Sequence, residues 1–171
     1  MSPTNRRVMA TARFREAETN DARVLWSTKH SAINAVETDE YTTAELAAWM
    51  PESGAISDFR RAIDSETFDV IVAEADGETV GYGVLNRLDE RIDAVFVLPE
   101  HSRQGIATSP VQQLESRASM GGIAELTLVS SLDAREFYRG PNYRVVETET
   151  RAIDGTDLEF LIMSKSCDVC V

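Results

Sequence analysis

Lysine is almost missing from this chain. Of its 17 basic residues only Lys29 and Lys165 are lysines, and the rest are arginines. Histidine is as scarce, with His30 and His101 alone. Positive charge is scarce altogether: 29 acidic residues leave a formal charge of −12. A chain this acidic repels nucleic acid and anionic lipid, which excludes both as partners. The acids run along the whole sequence and gather in no tail. That composition suits a surface kept hydrated in a salty cytoplasm, and unfolding in low salt is the expected consequence.

Cysteine is limited to Cys167 and Cys170, in "SKSCDVC". A structural zinc site takes four Cys or His ligands, and one CxxC with two distant histidines does not supply them. Two chains sharing an ion through paired tails is one reading. An incidental thiol pair is the preferred one, so no metal is expected. Long apolar runs are missing as well: no stretch approaches the roughly 18–20 apolar residues of a membrane span. The opening "MSPTNRRVMATARFREAE" has arginines with no apolar core behind them, unlike a signal peptide. A soluble cytoplasmic protein is expected. Two nucleotide-binding signatures are also missing, G-x-x-x-x-G-K-[ST] and a G-x-G-x-x-G opening a βαβ unit.

What is present is enough for one domain with a real core, 171 residues with an ordinary apolar fraction of 43%. It is expected over residues 9–165, with short tails at 1–8 and 166–171. "TARFREAE" alternates apolar and charged residues and predicts a strand within 9–16. A helix follows, capped by Asn20 or Asp21, with Ala22, Leu25, Trp26, Ile33 and Val36 on one face. "TTAELAAWM" opens with a capping box, Thr42 to Glu45, and stops at Pro51. Residues 59–63 predict a further helical turn or two. Two β-rich runs then flank Asp76-Gly77, a strong hairpin signal. A third strand is expected at 92–98, a helix at 108–120, a buried strand within "GGIAELTLVSS", and a short helix in "LDAREFYR". A closing hairpin turns at Asp154-Gly155. The expected fold class is a mixed α/β (α+β) domain with a mostly antiparallel central sheet of about seven strands flanked by helices.

The strand-to-helix junction "VFVLPEHSRQGIATSPVQQLE" carries the clearest chemical signal. The free N–H groups of a helix start make an anion site, and glycine lets backbone approach a ligand. Pro110 lacks an N–H and must lie in the first turn, which places the N-cap at Ala107 or later. The amides of residues 104–109, with the charge of Arg103, are then candidates to cradle a phosphate. The alternative is a plain capping turn, with Ser109 as N-cap, Pro110 at the first helical position and Gln112 closing a box.

That junction, read with "LTLVSSLDAREFYRGPNYRVV", resembles the GNAT acetyltransferase superfamily. Members carry a strand ending V-x-P, then Q/R-x-x-G-x-G/A, then a helix. A later A-S-x-x-A-x-x-F-Y-x-x-x-G-F-like segment is matched by Ser131, Ala134, Phe137 and Tyr138, with Asn142-Tyr143 for Gly-Phe. The resemblance covers about residues 13–165. Ser102 stands at the first motif position, Ala107 at the second glycine, and Asp133 where an Asn often meets the cofactor.

The resemblance implies transfer of an acetyl group from acetyl-CoA to a primary amine of a small molecule or protein, by direct attack. Arg103, Gln104, Gly105, Ile106, Ala107 and Thr108 would hold the pyrophosphate. The edge at Val95, Phe96 and Val97 would pair with the pantetheine, and an N–H near Val97 would face the oxyanion. Asp133 and Ala134 would line the cofactor path. Tyr138 would stand near the sulfur and stabilise the departing thiolate. An ordinary Tyr pKa of about 10 exceeds a thiol's of about 8.5, so the stabilisation is largely a hydrogen bond. The ammonium must also lose a proton, and Asp93, Glu90 or Asp89 are candidates to take it. The substrate side implied is residues 26–59, where Trp26, Tyr41 and Trp49 are candidates to line a pocket, with core packing the preferred reading of all three, and Glu37, Asp39, Glu40 and Glu52 would suit a cation. A homodimer is a common state in such proteins. The competing reading is a GNAT domain that binds acyl-CoA without catalysis, as a sensor or partner of another protein.

Overall fold

Strand propensity and turn chemistry alone divide the second half of the chain. A computed structural model describes residues 12–104 and 108–166. The Asp-Gly pairs do what their chemistry demands: Asp76 and Gly77 take φ of 54° and 80°, and Asp154 and Gly155 take 52° and 79°. Both central residues are left-handed, as a tight two-residue hairpin requires. The first pair joins β2 (Phe68–Ala75) to β3 (Glu78–Asn86), and the second joins β6 (Arg144–Ile153) to β7 (Thr156–Ser166). With β1 (Arg13–Glu16), β4 (Arg91–Val97) and β5 (Glu125–Ser131) they form one seven-stranded sheet, ordered β1-β2-β3-β4-β5-β7-β6. Every pairing is antiparallel except β4 with β5.

Helices cover both faces. α4 (Thr108–Met120) lies on one, with Val111, Leu114 and Ala118 fully buried at helical spacing against Ile71, Leu85, Ile92 and Leu126. Gly83 of β3 makes this possible, because a Cβ there would sit 2.9 Å from Leu114 Cδ1. α1 (Ala22–Asn34) and α3 (Ala55–Asp64) cover the other face through Leu25, Phe59 and Ile63, packed on Val70, Val72 and Tyr82. α2 (Thr43–Trp49) starts on the expected capping box: Glu45 N–H donates to Thr42 Oγ1 at 3.1 Å and Thr42 N–H to Glu45 Oε1 at 2.8 Å. Among the described residues no helix is long and apolar enough to cross a membrane.

Asp21 departs from expectation. It occupies the N-cap position of α1, yet its carboxylate makes no cap bond to that helix. It accepts instead from Glu18 N–H at 2.7 Å and from Arg15 at 2.8 and 2.9 Å. A charged donor competes better for the carboxylate than a helix amide does. The result ties β1 to the entry of α1.

The sheet opens where β4 meets β5. Only Arg91↔Thr127 and Ile92↔Leu128 are paired, and the two strands then part. A bulge falls at the same place, since Val84 pairs with Ala94 and Leu85 with Ile92, leaving Asp93 as the extra residue. The bulge shifts the side-chain phase of β4. Ile92 and Val95 pack on the α4 side, whereas Ala94 and Phe96 pack on the α1 and α3 side.

Candidate active site

Parting of the central strands leaves one edge of β4 without a partner. Leu98 N–H donates to Val80 O at 2.8 Å, so it points toward β3. Successive backbone groups alternate along a strand, so the N–H and C=O groups of Val95 and Val97 point the other way, into the gap. An unpaired edge of this kind accepts an extended amide chain as an added strand.

Two cavities meet at that gap. One, of about 530 Å³, is lined by Lys29, Trp49, Asp93, Arg151 and Phe160 among others. The second, of about 610 Å³, runs past Ala32, Val36, Pro99, Glu100, Asp133 and Phe137. Trp49, Val95, Phe96, Ser131, Ala134 and Tyr138 line both. The shared residues come from the open edge of β4 on one side. On the other they come from the end of β5 and from α5 (Arg135–Arg139).

Tyr138 stands at the junction. It is only 7% exposed, and its ring packs edge-on against Phe137 and Tyr143, with centroids 5.1 and 6.4 Å away. Its hydroxyl has no hydrogen-bond partner among the described residues. Burial, and secondarily the Asp133 carboxylate, hold its pKa well above the ordinary tyrosine range. The group therefore keeps its proton at any physiological pH and is available as a donor.

The sequence-predicted residues divide by place. Val95, Phe96, Val97, Asp133, Ala134 and Tyr138 converge on the gap. Arg103 and Gln104 lie in the 3-10 turn Pro99–Gln104, and Thr108 opens α4, so the helix starts two residues before Pro110. The plain capping turn, with Pro110 as the first helical residue, is thereby replaced. Gly105, Ile106 and Ala107 lie outside the described residues, as do Cys167 and Cys170. Of the three proposed proton acceptors, Asp93 is the one that lines either of these two cavities. It is held by Arg91 Nε at 2.6 Å and Asn86 Nδ2 at 3.2 Å. Glu90 takes a left-handed turn at φ 53° and Asp89 pairs with Arg91 at 3.6 Å.

Several side chains differ from their expected places. Trp49 alone of the three aromatics lines the gap. Trp26 sends its indole N–H to Glu52 O at 2.7 Å. Tyr41 is locked between Glu159 O, to which it donates at 2.6 Å, and Leu132 N–H, from which it accepts at 3.1 Å. Burial pushes its pKa up to about 12, against the opposing pull of the Leu132 amide. His101 buries its Nδ1, which has no hydrogen-bond partner among the described residues. Of the acids expected to draw a cation, Glu52 lines the first cavity, and two cations, Lys29 and Arg151, stand in it as well, neither foreseen. Their signal was thin: Lys29 is one of two lysines, and Arg151 sits in an ordinary hairpin. Among the described residues no group of three or more His, Cys, Asp or Glu is placed to hold a metal ion.

A seven-stranded sheet split between parallel central strands, with a helix start beside the split, is the GNAT fold. A family model described as an acetyltransferase (GNAT) domain matches residues 37–167, so the chain belongs to that family. A GCN5-related N-acetyltransferase from Rhodopseudomonas palustris has a crystal structure that matches with a TM-score of 0.85 at 25% identity, over 92% of this chain and 97% of that one. PaiA N-acetyltransferase from Thermoplasma acidophilum, solved in complex with coenzyme A, matches with a TM-score of 0.73 at 18% identity, over 91% and 99% of the two chains. The uncharacterized N-acetyltransferase YafP of Escherichia coli (strain K12) is 24% identical over 141 residues, 82% of this chain and 87% of that protein.

Proposed function

We propose that this protein is an N-acetyltransferase that moves an acetyl group from acetyl-CoA to a primary amine. The observation that carries the reading is the unpaired β4 edge with Tyr138 across from it, at the meeting of two cavities. The cavity past Pro99, Glu100, Asp133 and Phe137 would then take the cofactor, and the one lined by Lys29, Asp93 and Arg151 the acceptor. The complex of the PaiA protein with coenzyme A supports the assignment.

The residues present fit such a ligand. Acetyl-CoA supplies the activated thioester. Residues 103–108 and the first turn of α4 would hold its phosphates through backbone amides and the Arg103 charge. The N–H and C=O groups of Val95 and Val97 would pair with the amides of the pantetheine, and the Val97 amide would stabilise the negative oxygen that develops on the thioester carbonyl. Tyr138 donates a hydrogen bond toward the departing sulfur. Its raised pKa argues against full proton transfer and for hydrogen-bond stabilisation. Asp93, which lines the acceptor-side cavity, would take the amine's proton, directly or through water.

Thermal unfolding in high potassium chloride tests the cofactor half, with coenzyme A, acetyl-CoA and ATP as ligands. Saturation at about 100 times Kd adds about 2.7 kcal/mol, which is several degrees for a chain of this length. Both coenzyme A forms should shift the transition and ATP should not. Release of free thiol with an amine panel then tests transfer, and binding without turnover would favour the non-catalytic reading.

A further inference from the structure

Seven Lys and Arg side chains are partly buried among the described residues: Arg15, Lys29, Arg91, Arg117, Arg135, Arg151 and Lys165. Six of them have a carboxylate partner within 4 Å. Lys29 has none among the described residues, although the chain is rich in acids. Its Nζ lies 5.6 Å from the centre of the Phe96 ring, inside the acceptor cavity. Burial, and secondarily the charge of Arg151, lower its pKa. Arg151 lines the same cavity from β6. Its Nε donates to Glu149 and its guanidinium stacks 5.4 Å over Phe160, while its terminal nitrogens make no hydrogen bond among the described residues.

Lys29, with no carboxylate within 4 Å among the described residues, and Arg151, whose pairing with Glu149 uses Nε alone, leave spare donors in one cavity. A partly buried charge needs a counter-charge, and an oxyanion is the group that Lys and Arg together recognise. The cavity carries carboxylates too: Asp93 beside the open β4 edge, and Glu52, Asp58 and Asp154 around the rest. Negative charge near the reacting edge suits an ammonium, and positive charge at Lys29 and Arg151 suits its opposite.

We propose that the acceptor is a small zwitterion, an amine that also bears a carboxylate or phosphonate, with its oxyanion bound by Lys29 and Arg151. This rests on the acetyltransferase reading above. A volume of about 530 Å³ holds a small molecule whole. A polyamine would satisfy the carboxylates of the cavity but would meet Lys29 and Arg151 as like charges, which a zwitterion does not.

Steady-state acetyl transfer with matched acceptors tests it. The acceptors are the proteinogenic amino acids, the corresponding amides, aminoethylphosphonate and putrescine. At least one acid should exceed its own amide by about tenfold or more in kcat/KM, the size of one charge-assisted contact. The phosphonate arm tells whether carboxylate or phosphonate is preferred. In Lys29→Met the discrimination between that acid and its amide should collapse toward unity. Putrescine or the amides outperforming every acid and the phosphonate, or unaltered discrimination in Lys29→Met, would overturn the proposal. Absence of any coenzyme A shift would instead overturn the acetyltransferase reading.

A readout independent of turnover uses the scarcity of lysine. With ¹³Cε-lysine labelling in the presence of coenzyme A, the described chain contributes two side-chain signals, assigned by Lys29→Met. The Lys29 signal should titrate below an ordinary lysine and move upward in pH when the preferred acid or aminoethylphosphonate is added, because a bound oxyanion favours the charged form. A signal that ignores the acids and the phosphonate would overturn the proposal, whatever the turnover.

Discussion

Lys165 and Lys29 lie on opposite faces of the sheet with similar ring contacts and opposite electrostatics. Lys165 Nζ sits 5.5 Å over Tyr143, and Lys29 Nζ sits 5.6 Å over Phe96. Lys165, however, pairs with Glu115 at 3.1 Å, and Tyr143 donates to the same carboxylate oxygen at 2.8 Å. That set is closed: one carboxylate, one ammonium and one hydroxyl, all largely screened from water beneath α4. In the Lys29 set, Arg151 pairs with Glu149 through Nε, but Lys29 has no carboxylate within 4 Å among the described residues. Closed polar sets hold folds together, whereas open ones are tolerated where a ligand completes them. The difference separates a lysine whose charge is answered within the fold from one whose charge, on the proposal above, is answered by a ligand.

The closed set should fail hardest. Lys165→Met leaves Glu115 as an uncompensated carboxylate at 7% exposure. Breaking a buried pair by removing one partner costs about 3–5 kcal/mol. The Tyr143 hydroxyl still solvates the carboxylate and keeps the loss near the lower end, about 10 °C in Tm. Glu115→Leu combined with Lys165→Met should regain more than half of it, as measured by denaturant unfolding. A single-mutant loss below about 1 kcal/mol would remove the contrast between the lysines.

Tyr138→Phe comes next and should act on rate, not on stability. The hydroxyl has no protein partner among the described residues, so its removal should move Tm little, within the ±0.5 kcal/mol or so of a neutral change. Loss of the donor should lower kcat by about 10²-fold, roughly 2.7 kcal/mol in the transition state. Equal kcat in the two proteins would reduce Tyr138 to a packing residue beside Tyr143.

Most of the fold could be read from local chemistry, because hairpins, capping boxes and amphipathic helices are determined within a few residues. The Asp-Gly turns, the Thr42–Glu45 box and the buried face of α4 are such features, and all lie where expected. Half of the candidate site was legible for the same reason: β4, the 3-10 turn and the "FY" of α5 are contiguous motifs. The acceptor side was not. Lys29 and Arg151 stand far apart in sequence, and only the wrap of α1 over the sheet and the return of β6 bring them to one cavity. Acid counts along residues 37–52 suggested a cation-binding pocket, yet of those acids only Glu52 lines the acceptor cavity. Asp21 shows the same limit on a smaller scale. Its position reads as a helix cap, but Arg15 lies close enough to take the carboxylate.

Lys29→Met is the mildest change and the sharpest. Unlike Lys165→Met it should leave stability unchanged or raise it by up to about 1 kcal/mol, since it removes a partly desolvated charge with no partner. The pH dependence carries the sign. The Lys29 pKa is lowered in the folded chain from 10.5, so between the lowered value and 10.5 the unfolded chain binds more protons. Wild-type stability must then gain a contribution as pH rises through that window. Lys29→Met lacks the contribution, so its advantage over wild type should be largest near neutral pH and shrink toward pH 10. Paired denaturant titrations across that range read the difference directly, with effects common to both proteins cancelling. A gap that stayed constant with pH would mean that Lys29 is as well solvated as a surface lysine, and the two lysines would then differ only in their neighbours.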